Sequence, residues 1–272
     1  METRRVRVSC EFVQFTQAAT PIVMQVRPLQ EAPVVLSQET WTIDPHVETH
    51  AYTDLYENPC LRLTLPVGRS TFRYSAIAEV PDAVEPVDVN APALPADQLP
   101  DDVLIYTLPS RYCVPEMLAE EAVARFGASA PGYQQVQQVL DYVWEHVQFQ
   151  YGSTNSLTTA HDVNVSGLGV CRDFAHPAIS FCRALDIPAR YVFGYLPEID
   201  MEPIANPMDF AAWIEVWLGD RWWTFDPRNN EQRKGRVLIG RGRDASDVAM
   251  VTAFGMPILE SMTVDAREVT GS

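Results

Sequence analysis

The stretch Gly169-Val170-Cys171-Arg172-Asp173-Phe174-Ala175-His176 decides how the rest of this 272-residue chain is read. Cys171 follows a glycine and opens a run, Cys171 to Leu185, in which Phe174, Ala178, Phe181 and Leu185 recur at helical spacing. The spacing predicts a helix with the thiol in its first turn. There, unpaired backbone N–H groups and the positive end of the helix dipole favour thiolate, the form that acts as a nucleophile. A lone cysteine is more often plain core, and it is the downstream sequence that argues otherwise. Cys182, eleven residues on and nearly at the same helical angle, reads as core below Cys171.

Two stretches complete the pattern. Asp209 to Leu218 alternates like a strand, and Arg221 to Arg228 follows a Gly219-Asp220 turn as the second strand of a hairpin. Upstream of both, Ile187 to Leu196 reads as a buried strand.

Taken with Gly169–His176, these stretches strongly resemble the transglutaminase-like superfamily, a branch of the papain-like cysteine enzymes. Its motifs run as a GVCRDFAH segment, a strand carrying HAW and a strand ending in FDP; Ile187-Pro188-Ala189-Arg190-Tyr191-Val192 and Gly240–Ala245 also fit its bacterial members. The resemblance implies that Cys171 is the nucleophile and Asp226 the acid that orients a histidine. That histidine should stand immediately before Ala212-Trp213, where this chain has Ala211. Imidazole takes the thiol proton, holds the ion pair and later protonates the leaving group. Alanine does none of these.

Two functions follow as alternatives. In the first, Cys171 attacks an amide carbonyl, a thioester forms, and water or an amine resolves it, with Ala211 leaving the enzyme inactive or impaired. Backbone N–H groups near Cys171 would stabilise the oxyanion. In the second, the chain is a catalytically dead binding or scaffold protein that keeps the cleft. Ala211 is read as a natural loss or an engineered substitution. The expected partner is a peptide, protein or small amide. Gly169, Val170, Trp213 and Trp222 are candidate substrate contacts, although strand tryptophans are usually core. His161 and His176 are the candidates for a substitute base; His176 lies about 140° around the helix from Cys171 and reads as a structural hydrogen-bonding residue.

The remainder of the chain sets the frame. Apolar residues make up 47% and charged residues 21%, as in an ordinary globular protein. Acidic residues outnumber basic ones 36 to 20, and the net charge of −16 disfavours nucleic acid and anionic membrane surfaces. Five cysteines without CxxC spacing, and no signal-like or spanning segment, point to cytosolic thiols. No metal or other cofactor is expected.

Short alternating runs between turn residues over positions 1–80 predict an all-β sandwich. A proline-punctuated acidic linker is expected over 81–105. The core domain is then expected over 106–272, with helices Pro115–Phe126 and Tyr133–Val147 before Cys171. The fold class expected is α+β: a transglutaminase-like cysteine-proteinase core preceded by that sandwich. The loop Pro197–Met208 could rim the cleft. The basic run Arg233, Lys234, Arg236, Arg241, Arg243 reads as a solvated face or internal ion pairs.

Overall fold

The computed structural model describes residues 2–31, 33–202 and 207–269. Six strands come first: β1 (Thr3–Thr16), β2 (Thr20–Met24), β3 (Val35–Asp44), β4 (Thr49–Thr53), β5 (Pro59–Leu65) and β6 (Gly68–Pro81). Helices α1 (Pro115–Phe126) and α2 (Tyr133–His146) follow, then β7 (Gln148–Phe149), α3 (Ala160–Ser166), β8 (Leu168–Gly169) and α4 (Cys171–Ala184). The chain continues through β9 (Ala189–Tyr195), β10 (Ala211–Leu218), β11 (Arg221–Phe225) and β12 (Val237–Gly242). It ends in β13 (Val251–Ala253) and β14 (Ile258–Glu268).

The expected sandwich is present, and its pairing departs from the expected division at residue 105. One sheet has the order β14-β1-β6-β3 and the other β13-β2-β5-β4, so residues 251–268 return to the N-terminal module. β1 explains why: Val6, Val8, Cys10 and Phe12 are buried at period two, and the strand carries β6 on one edge and β14 on the other. Alternation in Ile258–Val264 predicts a strand, but alternation alone does not say which strand it will meet.

The third sheet, β11-β10-β9-β12, carries the helices. Every residue of β9 is buried, as expected for an apolar run covered on both faces. Ala212, Ile214, Val216 and Leu218 of β10 join one apolar core with Phe174, Ala178, Phe181 and Cys182 of α4. Each large side chain fully removed from water here stabilises the fold by about 1.5–3 kcal/mol. That packing fixes α4 across β10, and so fixes the first turn of α4 against the start of β10.

The first half of the linker is tied down by two isolated bridges, Val84 to Lys234 and Pro92 to Gly132. Two further elements flank the nucleophile helix and the hairpin. The polar loop before Gly169 contains α3, started by a Thr159–Asp162 capping box, and part of the basic run forms β12.

Candidate active site

Cys171 opens α4, with Val170 as the residue before the helix. Asp173 builds this start: its Oδ2 accepts from the Val170 N–H at 2.9 Å and from the Thr154 hydroxyl at 2.6 Å. The turn brings Asp173 so close to Gly169 that a Cβ there would sit 2.6 Å from the Asp173 Cβ. Gly169 is required by that approach. The glycine, cysteine and aspartate of the Gly169–His176 segment therefore form one device that presents the thiol.

The other side of the site comes from the hairpin. Leu218 pairs with Arg221 around the two-residue turn, where Gly219 takes φ 64°, and the register runs to Ile214 against Phe225. Phe210 immediately precedes β10, and the Cys171 Sγ donates to its carbonyl oxygen at 3.7 Å. Ala211 therefore stands one residue from the atom that holds the thiol. Cys171 and Ala211 line one cavity of about 500 Å³, together with Val170 and Arg228. Its walls are aromatic: Tyr112, Phe149, Tyr151, Tyr191 and Phe193. Among the described residues no histidine lines it.

Asp226 follows the end of β11, is 6% exposed, and has both oxygens engaged. Oδ1 accepts from the backbone N–H groups of Arg228 and Asn229, at 3.1 and 3.0 Å. Oδ2 accepts from the Asn229 side-chain amide and from Arg236 Nη2, both at 2.8 Å. Arg236 also reaches Glu85 of the linker.

The electrostatics hold Cys171 as a thiol. The residue is half-buried, and the packed atoms around its sulfur push it up to about 11. The Arg228 guanidinium opposes this, Asp209 adds to it, and the Arg172 N–H at the helix start pulls downward. Helix terminus and arginine together do not outweigh desolvation. Asp209 lines the same cavity, and its carboxyl is held above the ordinary range by burial.

The remaining candidates lie elsewhere. Trp213 is 1% exposed, beneath the Arg236 guanidinium at 5.0 Å and against Gly194, and does not line the Cys171 cavity. Trp222 lies under Arg190 at 4.0 Å and edge-on to Tyr106 and Trp217, also away from it. Both tryptophans, candidates for substrate contact although strand tryptophans are usually core, stand in packing and cation–π contacts away from the cavity. Gly169 supports the turn from behind, and Val170 alone of the four expected contacts lines the cavity.

His176 is buried between the rings of Tyr112 and Tyr191, and its Nε2 accepts from the Ala245 N–H at 3.3 Å. Burial lowers its pKa to about 4, so it is neutral. His161 lies in the first turn of α3, and neither histidine lines the cleft. Of the loop expected to rim it, Glu198, Pro207 and Met208 line the adjoining cavity and none of the described loop residues lines the Cys171 cavity itself, while residues 203–206 lie outside the described residues. No group of three His, Cys, Asp or Glu side chains among the described residues could hold a metal. No helix among them is long and apolar enough to cross a membrane.

Comparison with known proteins bears on this geometry. Residues 120–227 match the family model of the Transglutaminase-like superfamily. An uncharacterized protein of Mycobacterium leprae is 35% identical over 111 residues, 39% of this chain and 39% of that one. One from Mycobacterium tuberculosis is 28% identical over 161 residues, 56% of this chain and 51% of that one. The matches thus span about half or less of these relatives' length. Among solved structures, a candidate cysteine protease from Cytophaga hutchinsonii superposes with a TM-score of 0.89 at 28% identity. That match covers 100% of this chain and 93% of the other.

Proposed function

Given that the chain belongs, through residues 120–227, to the transglutaminase-like superfamily, we propose that it keeps the cleft of a cysteine amidase or peptidase while acyl-transfer chemistry at Cys171 is silenced. It then acts by binding a peptide, protein or amide. The supporting observation is the pairing of a neutral Cys171 thiol, donating to the Phe210 carbonyl, with Ala211 at the position the family gives to imidazole. In a competent site the imidazole draws the thiol proton, thiolate attacks the amide carbonyl, and a thioester and free amine result. Water then releases the acid. Every proton movement in that sequence passes through the missing ring.

A second reading, an impaired but working hydrolase, draws support from the Cytophaga protein's description as a candidate cysteine protease and from the placement of Cys171 at a helix start. Ala211→His separates the two readings. Losing the base of a triad costs roughly 10⁴–10⁶ in rate. If the wild-type chain is silent, the variant should gain reactivity of Cys171 toward a peptidyl electrophile at neutral pH, and Cys171→Ala should abolish the gain. A wild-type chain that already reacts at neutral pH as fast as the variant would favour the working hydrolase.

A further inference from the structure

Five basic residues follow the Asp226 turn in sequence, and each is matched. Arg233 donates to the Pro197 carbonyl and pairs with Glu231, and Lys234 bridges Asp82 and Asp200. Arg236 pairs with Glu85 and Asp226, Arg241 with Glu31, and Arg243 with Asp247. Arg228 differs. Its backbone N–H serves Asp226, but its guanidinium has no hydrogen bond or ion pair among the described residues. It lies instead over the face of Phe149, with Cζ 4.3 Å from the ring centroid.

This guanidinium lines the Cys171 cavity, and it also lines the adjoining cavity with Ala211 and Asn229. A guanidinium keeps its charge at any ordinary pH and presents a planar fork that suits a carboxylate. Ala211, small where the family pattern has an imidazole, lines both cavities beside it.

We propose that the Cys171 cleft binds a carboxylate with an aromatic body, the carboxylate seated on Arg228 in the space beside Ala211. The inference rests on the reading that the cleft binds ligands without turning them over. Three features converge on it. The fork of Arg228 is unmatched. The first turn of α4 adds the positive end of a 14-residue helix at Cys171. The aromatic walls of Tyr112, Phe149, Tyr151, Tyr191 and Phe193 bury a ring beside the charged point, as ligand cavities commonly do.

Three carboxylates stand near the cleft, Asp173, Asp209 and Glu198, the last lining the adjoining cavity with Arg228. Asp173 is engaged by Val170, Thr154 and Arg172. Asp209 faces the same space and attracts Arg228, but no ion pair joins them within 4.0 Å. It accepts from the Phe210 N–H at 2.7 Å instead. The acid end of a cleaved peptide and a free aryl acid share this chemistry.

The test uses N-acetyl-phenylalanine, its amide and 3-phenylpropionate, titrated into the full chain by calorimetry at pH 7. A charge-assisted contact should make the acid bind about tenfold tighter than the amide, with the preference lost in Arg228→Gln and kept in part by Arg228→Lys. Asp209→Asn should tighten the acid. Preference for N-acetyl-phenylalanine over 3-phenylpropionate would identify a peptide end as the source, and the reverse a free aryl acid.

Equal binding of acid and amide, a preference that survives Arg228→Gln in a chain that unfolds normally, or no binding of either acid would overturn the assignment. The underlying reading fails on a different observation, namely turnover of the amide or fast neutral-pH labelling of Cys171 in the wild-type chain.

Discussion

Arg236 donates Nη2 to Oδ2 of Asp226 at 2.8 Å, and both side chains are almost completely buried. The acid that the family pattern would turn toward a histidine is held here by an arginine, which also grips Glu85 of the linker. Removing the cation would leave two carboxylates facing each other in the interior. Arg236→Ala should therefore destabilise the chain by roughly 3–5 kcal/mol, read as a lower urea midpoint. An unchanged midpoint would mean that Asp226 and Glu85 find other partners.

Asn229 stands where a restored ring would need to work. Its amide donates to Asp226 Oδ2, and it lines a cavity with Ala211. With Arg236 and two backbone N–H groups, it fills the acceptor sites of the carboxylate. Ala211→His alone should therefore recover only part of the lost reactivity, and Ala211→His with Asn229→Ala should label faster at Cys171. Equal rates in the single and double variants would show that Asp226 is not limiting.

Gly169→Ala should cost on the order of 1–3 kcal/mol, because a Cβ at 169 meets the Asp173 Cβ and disturbs the start of α4. Thermal unfolding measures this. A variant as stable as the wild type would show that Asp173 can shift without loss of the turn.

Much of this architecture was legible in the sequence, and the exceptions have physical causes. Pro115, Gly127 and the apolar face of Tyr133–His146 gave α1 and α2 to within a residue, since caps and period are local. The Gly219-Asp220 turn fixed the register of β10 and β11 for the same reason. β3 and β4 carry little apolar alternation because they lie mostly exposed at sheet edges. At the site, Cys171 and the alanine at 211 stood out by motif. The state of Arg228 did not, because a guanidinium is matched or unmatched only through contacts distant in sequence. The surroundings of Trp213 were hidden for a similar reason: alternation places it on the side of Ala211, but Arg236 and Gly194, which enclose it, are distant in sequence.

His176 supplies a pH dependence whose sign can be worked out. Its unfolded value is near 6.5 and burial lowers the folded value to about 4, so between these the unfolded chain binds more protons. Stability from this group is fully present above pH 6.5 and is lost as pH falls toward 4, by an amount on the order of 3 kcal/mol. Asp244 and Asp173 oppose the shift, and Arg172 and Arg183 reinforce it. Urea midpoints measured from pH 7 to pH 4 should fall in the wild type and fall less in His176→Gln. Parallel curves would locate the acid sensitivity in other groups.

The central claim, that the cleft is chemically silent because its thiol is neutral, is tested most directly by alkylation of Cys171 as a function of pH. The other four cysteines are buried, so mass spectrometry after iodoacetamide treatment reads this site cleanly. With the thiol at about 11, the thiolate at pH 7 amounts to roughly one part in ten thousand, and the rate should climb about tenfold per unit through pH 9 without levelling. A rate already on its plateau at or below pH 7 would contradict the account, because it would mean that Arg228 and the helix start outweigh burial at the sulfur without an imidazole in the cavity.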